Sequence, residues 1–368
     1  MPAEVSQKSP RVFVSDCEGP ISKNDNAFEL AEHFVHKGDK IFALVSKYDD
    51  VLADIVKKQG YKAGDTLRLI LPFLKAYGAT DAKIRDFSAR NVLLVPGAKD
   101  TLKFVSEMFS SFIVSTSYEQ YIFALCMLTG FPFQNTYCTR LNLDNYQISA
   151  QETKRLKELG NEIASLPMIE IPKNAGSVAD FSDRDQATVE RLDEIFWEEL
   201  PELESGRMLV DVNPVGGTEK ARAVQDIVTK MDCSLDHVMY VGDSITDAQA
   251  LRLVKENGGL AVSFNGNRYS VRESNVAVLS GNTVVTSVLA QVFSRQGKEG
   301  ALNLVNDWSP LGLEKYCLVP VLCEKMKLQF AEAFPQVEQV TADNLERLIS
   351  QSSVFRKTVR GEAIGKLG

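Results

Sequence analysis

The chain has 368 residues, of which 44% are hydrophobic and 24% charged, with a formal net charge of −8 and a pI of about 5.2. That length suits one sizeable α/β domain with smaller additions. The lack of any long basic run excludes a nucleic-acid footprint, and no apolar run reaches the length of a membrane span.

The first strand is predicted at Val12–Val14, a short apolar β-type run that breaks into Asp16-Cys17-Glu18-Gly19. Two carboxylates then stand at the C-terminal edge of a buried strand, where open α/β sheets bind ligands. Asp16 and Glu18 are two residues apart and share one side of an extended chain, and Gly19 permits a sharp turn. Asp25 or Asn26 can cap the helix that follows. Helical text continues through Ile41–Lys58, Asp65–Tyr77 and Asp81–Ser88, with Pro72 expected to kink or restart the third of these helices. Residues 21–91 therefore read as a helical insertion, and His33 and His36 as solvated surface residues.

Val95–Val105 returns to an α/β rhythm, and Ser111–Ser117 is the second predicted strand. Ser115 falls at its end. Its hydroxyl and the following N–H groups could hold a phosphoryl oxygen, and capping of the next helix is a compatible reading. Residues 151–205 carry two charged helices, Gln151–Ala164 and Asp183–Leu200, and form a second insertion. Met208–Pro214 reads as a strand, followed by a helix with Lys220 in its first turn, where the dipole slightly disfavours a cation. The strand His237–Val241 ends in Gly242-Asp243, with Asp247 four residues on. Gly258–Asn267 is a strand and loop, and Val276–Ser280 a short strand. From Thr283 the text reads as helical, apart from a break at Trp308–Gly312. This tail would pack on the core or on a second subunit, which leaves homo-oligomerisation open.

The six cysteines are scattered with no C-x-x-C pair. They read as reduced thiols with no zinc site. With no apolar stretch in the first ten residues, a cytoplasmic enzyme is expected.

Taken in order, strand-DxEG, strand-Ser, a lysine at a helix start and strand-GDSxxD resemble the four motifs of the haloacid dehalogenase-like phosphatase superfamily. Within it the chain is most similar to phosphoserine phosphatases, through DCEGPISKNDNAFELAEHF, VPGAKDTLKFV and GGLAVSFNGNRYSVRESNVAVLS. The resemblance implies a Rossmann-like parallel sheet from residues 1–20, 92–150 and 206–290. A helical cap (21–91), the insertion (151–205) and a helical extension (291–368) complete the chain. It also implies a phosphoric monoester hydrolase that acts on a small phosphorylated metabolite through an aspartyl-phosphate.

By matching positions, Asp16 would be the nucleophile and Glu18 the acid/base. Mg²⁺ would be held by Asp16, the Glu18 carbonyl and Asp243. Asp247 would complete the metal site or anchor the lysine. Ser115, Thr116 and Lys220 would bind the phosphoryl group. Asp25 and Arg68 fall where the relatives hold a substrate amine and carboxylate, which would suit an amino-acid phosphate such as phosphoserine. The sequence departs from the pattern at Glu18, which the enolase-phosphatase branch shares, and at Thr116 and Ser117, where the relatives have glycines. A phosphotransferase or phosphomutase, or a non-catalytic binding protein on this fold, are the alternatives.

Overall fold

The computed structural model describes residues 10–365. Among these, seven strands form one sheet: β1 (Val12–Ser15), β2 (Ser110–Tyr118), β3 (Thr136–Thr139), β4 (Val238–Gly242), β5 (Leu260–Phe264), β6 (Val276–Leu279) and β7 (Gln336–Gln339). The order is β3-β2-β1-β4-β5-β6-β7. Every pairing is parallel except β6 with β7.

The chain leaves β1 for four helices, α1 (Asn26–Phe34), α2 (Gly38–Asp50), α3 (Thr66–Ala76) and α4 (Asp81–Asn91), and returns through α5 (Ala98–Met108) to β2. Pro72 lies inside α3 without dividing it. α6 (Glu119–Thr129) leads to β3. The insertion carries α7 (Ala150–Ile163) and α8 (Asp183–Glu194), and α9 (Met208–Asp211) follows it. α10 (Thr218–Lys230), α11 (Ala248–Glu256) and α12 (Arg268–Glu273) precede β4, β5 and β6 respectively. α13 (Val284–Asn306), α14 (Pro310–Tyr316) and α15 (Pro320–Gln329) lead to β7, and α16 (Leu345–Arg360) follows it.

Alternation along the strands builds two cores, because successive side chains point to opposite faces. Phe13, Ile113, Met239 and Val262 pack with α5, α6 and α13 on one face. Val14, Phe112, Tyr240 and Ala261 pack with α10 and α11 on the other. With both faces covered, the central strands read as continuous apolar runs. The cap and the insertion share a third core, in which Leu30, Ile41, Phe73, Leu159, Leu192 and Phe196 are fully shielded. Each such side chain contributes about 1.5–3 kcal/mol. The insertion thus thickens the cap.

Two expectations are overturned. The segment beginning at Met208 is the short helix α9, because Met208 and Leu209 are drawn into the cap core and tertiary packing outweighs their weak strand preference. The tail is not wholly helical: β7 joins the open edge of β6 and buries only Val337 among its four residues. A smaller difference lies in β2, which runs on past Ser115 to Tyr118 through a register shift opposite β3.

Candidate active site

Asp16 leaves the end of β1, and its N–H donates to Val241 O at 2.8 Å, which locks it beside β4. Asp243 follows β4 directly. Gly19 brings the two together. Its φ is +107°, and a Cβ placed there would stand 2.2 Å from Asp243 Oδ2, so only glycine fits this approach. Ligand oxygens of Asp16, Asp243 and Asp247 lie within 4.8 Å of one another, all three buried. Three hard oxygen donors packed this closely fit a hard divalent cation, which would relieve their mutual repulsion.

Lys220 is fully buried. Its Nζ sits 2.6 Å from Asp16 Oδ2 and 2.7 Å from Asp247 Oδ1. Burial disfavours its charge, but the Asp16 and Asp247 carboxylates outweigh that and hold it protonated above its ordinary range. Asp247 Oδ1 also accepts from Tyr240 OH at 2.8 Å. Its Oδ2 accepts from the N–H groups of Asp243 and Ser244 at 3.0 and 3.1 Å. Lys220, Tyr240 and the two N–H groups thus hold the Asp247 carboxylate in place beside the lysine. Burial opposes ionisation of Asp247, and Lys220 nonetheless holds its pKa below the usual carboxylate value. Asp16 is pushed up to about 8, chiefly by burial and then by the Asp247 charge, against the pull of Lys220.

Glu18 lines the same cavity, and its Oε1 accepts from Asn26 N–H at 2.7 Å. Burial and then the Asp25 charge push it well above the carboxylate range. Ser115 is buried, with its Oγ 3.1 Å from Ser117 Oγ and accepting from Ser117 N–H at 3.3 Å. Thr116 also lines the cavity, but its hydroxyl donates to Val215 O at 3.0 Å. The cavity, about 100 Å³, is roofed by Ala27, Phe42, Ser46 and the Gly64–Leu67 segment of the cap.

Of the two expected substrate contacts, the structure brings one to the cavity. Asp25 lines it while also capping α1, accepting from Phe28 N–H at 3.1 Å. Arg68 does not line it. It donates to Asp65 Oδ2 at 2.5 Å and to Leu209 O at 2.8 Å, and its guanidinium lies over Tyr61. Among the cavity residues not foreseen are Asp49 and Asp50 of the cap and the two cations Arg356 and Arg360 of α16. Their spacing of four in FRKTVR places both on one helix face, which is the only sequence signal for them.

The haloacid dehalogenase-like hydrolase family matches residues 96–271. A phosphoserine phosphatase of Archaeoglobus fulgidus is 33% identical over 114 residues, covering 30% of this chain and 29% of that protein. The chain thus matches less than a third of that curated relative's length. A solved structure of a gene product from Archaeoglobus fulgidus superposes with a TM-score of 0.80 at 25% identity, covering 98% of this chain and 99% of that one. A substrate-bound phosphoserine phosphatase complex aligns with a TM-score of 0.45 at 13% identity, over 77% of this chain and 98% of the other. Over residues 96–271 this chain is similar to the haloacid dehalogenase-like hydrolases, and that stretch carries Asp243 and Asp247 of the acidic cluster at the sheet edge.

Proposed function

We propose that the protein is a Mg²⁺-dependent phosphatase that hydrolyses a small phosphorylated metabolite through a phosphoaspartate at Asp16. The observation that carries this reading is the placement of the Asp16 carboxylate. It stands at a sheet edge between Lys220 and Asp243, facing a small cavity closed by the cap.

In the first step an oxygen of Asp16 attacks phosphorus, and the bond from phosphorus to the leaving oxygen breaks. Glu18 gives its proton to that oxygen. In the second step Glu18 takes a proton from water, the water oxygen bonds to phosphorus, and the Asp16–phosphorus bond breaks to release phosphate. Ser115, the N–H groups after it and Lys220 orient and neutralise the phosphoryl oxygens, since this chemistry depends on positioning and charge. Asp16, Asp243 and the Glu18 carbonyl would hold the cation, with Asp247 fixing Lys220 beside them. When bound, Mg²⁺ supplies the positive charge that lets a carboxylate approach a phosphate dianion. The pinned Thr116 hydroxyl leaves that residue its main chain for phosphoryl binding.

The size of the cavity favours a compact substrate, and Asp25 offers a partner for an amine. Amino-acid phosphates, phosphoserine among them, are the class to test first. Six free thiols and the absence, among the described residues, of a helix long and apolar enough to cross a membrane agree with work in a reducing cytoplasm.

The test is phosphate release from a panel of phosphomonoesters with Mg²⁺ and with chelator. Metal-dependent release from an amino-acid phosphate supports the whole reading. Release only from other compounds removes the substrate class. No release from any compound contradicts the activity.

A further inference from the structure

The C-terminal helix α16 is fixed to the sheet by contacts that do not involve Arg356, among them the Arg347–Glu338 ion pair to β7. Leu348 packs with Val271 and Ala277, and Ser352 Oγ donates to Gly266 O at 2.6 Å. Yet α16 sends two cationic side chains into the candidate active site. Arg356 is only 4% exposed. Its Nη1 bonds to the Asp243 carboxylate and lies 3.3 Å from Asp243 O, while its buried Nε has no partner. Arg360 reaches the same carboxylate oxygen at 3.2 Å, but its Nε donates to Lys23 O at 3.1 Å and its Nη2 bonds to Asn24 O. Arg360 is therefore tied to the main chain where it enters the cap, whereas the hydrogen bonds of Arg356 go to Asp243.

Burying a guanidinium is costly, and a helix that needed only anchorage would place an apolar side chain there. Asp243 is also the carboxylate that a divalent cation would share with Asp16. A cation on Asp243 takes the carboxylate to which Arg356 is hydrogen-bonded and leaves a buried guanidinium, with its unpaired Nε–H, at the wall of the cavity, where Asp25 is the other carboxylate whose charge acts on it. A guanidinium so placed, with an unpaired N–H at the cavity wall, suits a further anion.

We propose that Arg356 is an exchangeable ligand-binding residue. It holds Asp243 in the cation-free protein, and once a cation takes Asp243 it binds an oxyanion of the ligand. Arg360 keeps its backbone contacts throughout and holds the mouth of the site closed. The inference rests on the phosphatase reading for the class of ligand, a phosphomonoester. The oxyanion is either the phosphoryl group or a second anionic group such as a carboxylate.

Calorimetric titration tests it in the full chain, with wild type, Arg356→Gln, Arg356→Lys and Arg360→Gln. The probes are Mg²⁺ alone and then, on Mg²⁺-loaded protein, inorganic phosphate, phosphoserine and phosphoethanolamine. If Asp243 is free of Arg356 about a tenth of the time, Arg356→Gln tightens Mg²⁺ binding about tenfold. The same variant should weaken an oxyanion probe about tenfold or more. Arg356→Lys should restore part of both effects. Weakening of inorganic phosphate identifies the phosphoryl group. Weakening of phosphoserine alone, with phosphate and phosphoethanolamine unchanged, identifies a carboxylate.

Equal effects of Arg356→Gln and Arg360→Gln on both Mg²⁺ and the oxyanions would reduce the arginines to general electrostatics and overturn the exchange. Unchanged or weaker Mg²⁺ binding by a folded Arg356→Gln also overturns it. Absence of Mg²⁺ binding in every form overturns the metal-dependent reading itself, which separates the two failures.

Discussion

Lys220 Nζ lies 2.6 Å from Asp16 Oδ2, inside a core that leaves the lysine no solvent contact. This pairing, with Asp247 on the other side of the ammonium, makes the site stable before any ligand arrives. Lys220→Met leaves two buried carboxylates without their counter-charge. It is expected to destabilise the fold by about 3–5 kcal/mol, as breaking a buried pair does, and urea unfolding checks it. The same variant should lose activity about a hundredfold or more, because a charge aimed at the phosphoryl oxygens is gone.

Gly19→Ala tests the close approach of the first and fourth motifs. The added carbon would overlap the Asp243 carboxylate, and the positive φ adds backbone strain. The expected loss of stability is about 1–3 kcal/mol. Mg²⁺ affinity should fall about tenfold or more, since displaced ligands and their supports cost that much. Calorimetry with Mg²⁺ measures the second effect separately from the first.

Glu18→Gln separates the carboxylate of this residue from its carbonyl. The carbonyl would serve the cation, and the carboxylate the proton transfers. Turnover is therefore expected to fall by about 10²–10⁴-fold, with Mg²⁺ binding unchanged. Steady-state kinetics beside calorimetry decides it, and a parallel loss of Mg²⁺ affinity would reassign the carboxylate to the metal.

Asp49, on the cap side of the same cavity, supplies a pH test of its own. It is 4% exposed, and it accepts from Tyr61 OH at 2.6 Å, Gly64 N–H at 2.9 Å and Thr66 N–H at 3.2 Å. Burial outweighs these donors and pushes its pKa from 3.8 up to about 7. The folded protein then holds the proton more tightly than the unfolded chain. The contribution of Asp49 to stability is greatest at low pH, falls as pH rises from about 4 to about 7, and is level above that. Asp49→Asn should flatten stability across this window. Asp49→Ala should cost about 2–4 kcal/mol, because it orphans two buried N–H groups and a hydroxyl. Urea unfolding at several pH values measures both.

The acidic sheet edge was legible because each of its residues follows an apolar strand at a short, fixed distance. The ends of β1 and β4 are local patterns, and the parallel sheet makes them neighbours. Met208 was misread because a short apolar run does not distinguish a buried strand from a buried helical turn. Its outcome depended on packing against the cap. Arg68 lies in the expected helix but is drawn to Asp65 and Leu209 O, contacts that no linear pattern reports. Arg356 stands 113 positions after Asp243. An arginine on an amphipathic helix ordinarily reads as a solvated face, and only the seating of α16 beside α12 and β6 turns it inward.

The central claim is that Asp16 itself carries the phosphoryl group. Quenching the enzyme during turnover of a substrate found in the phosphomonoester panel, followed by borohydride reduction and peptide mass spectrometry, tests it most directly. Reduction converts an acyl phosphate into the corresponding alcohol, so homoserine is expected at position 16 and absent when Mg²⁺ is withheld. An enzyme that turns over with Asp16 unmodified, or with the label on another carboxylate, would contradict the account.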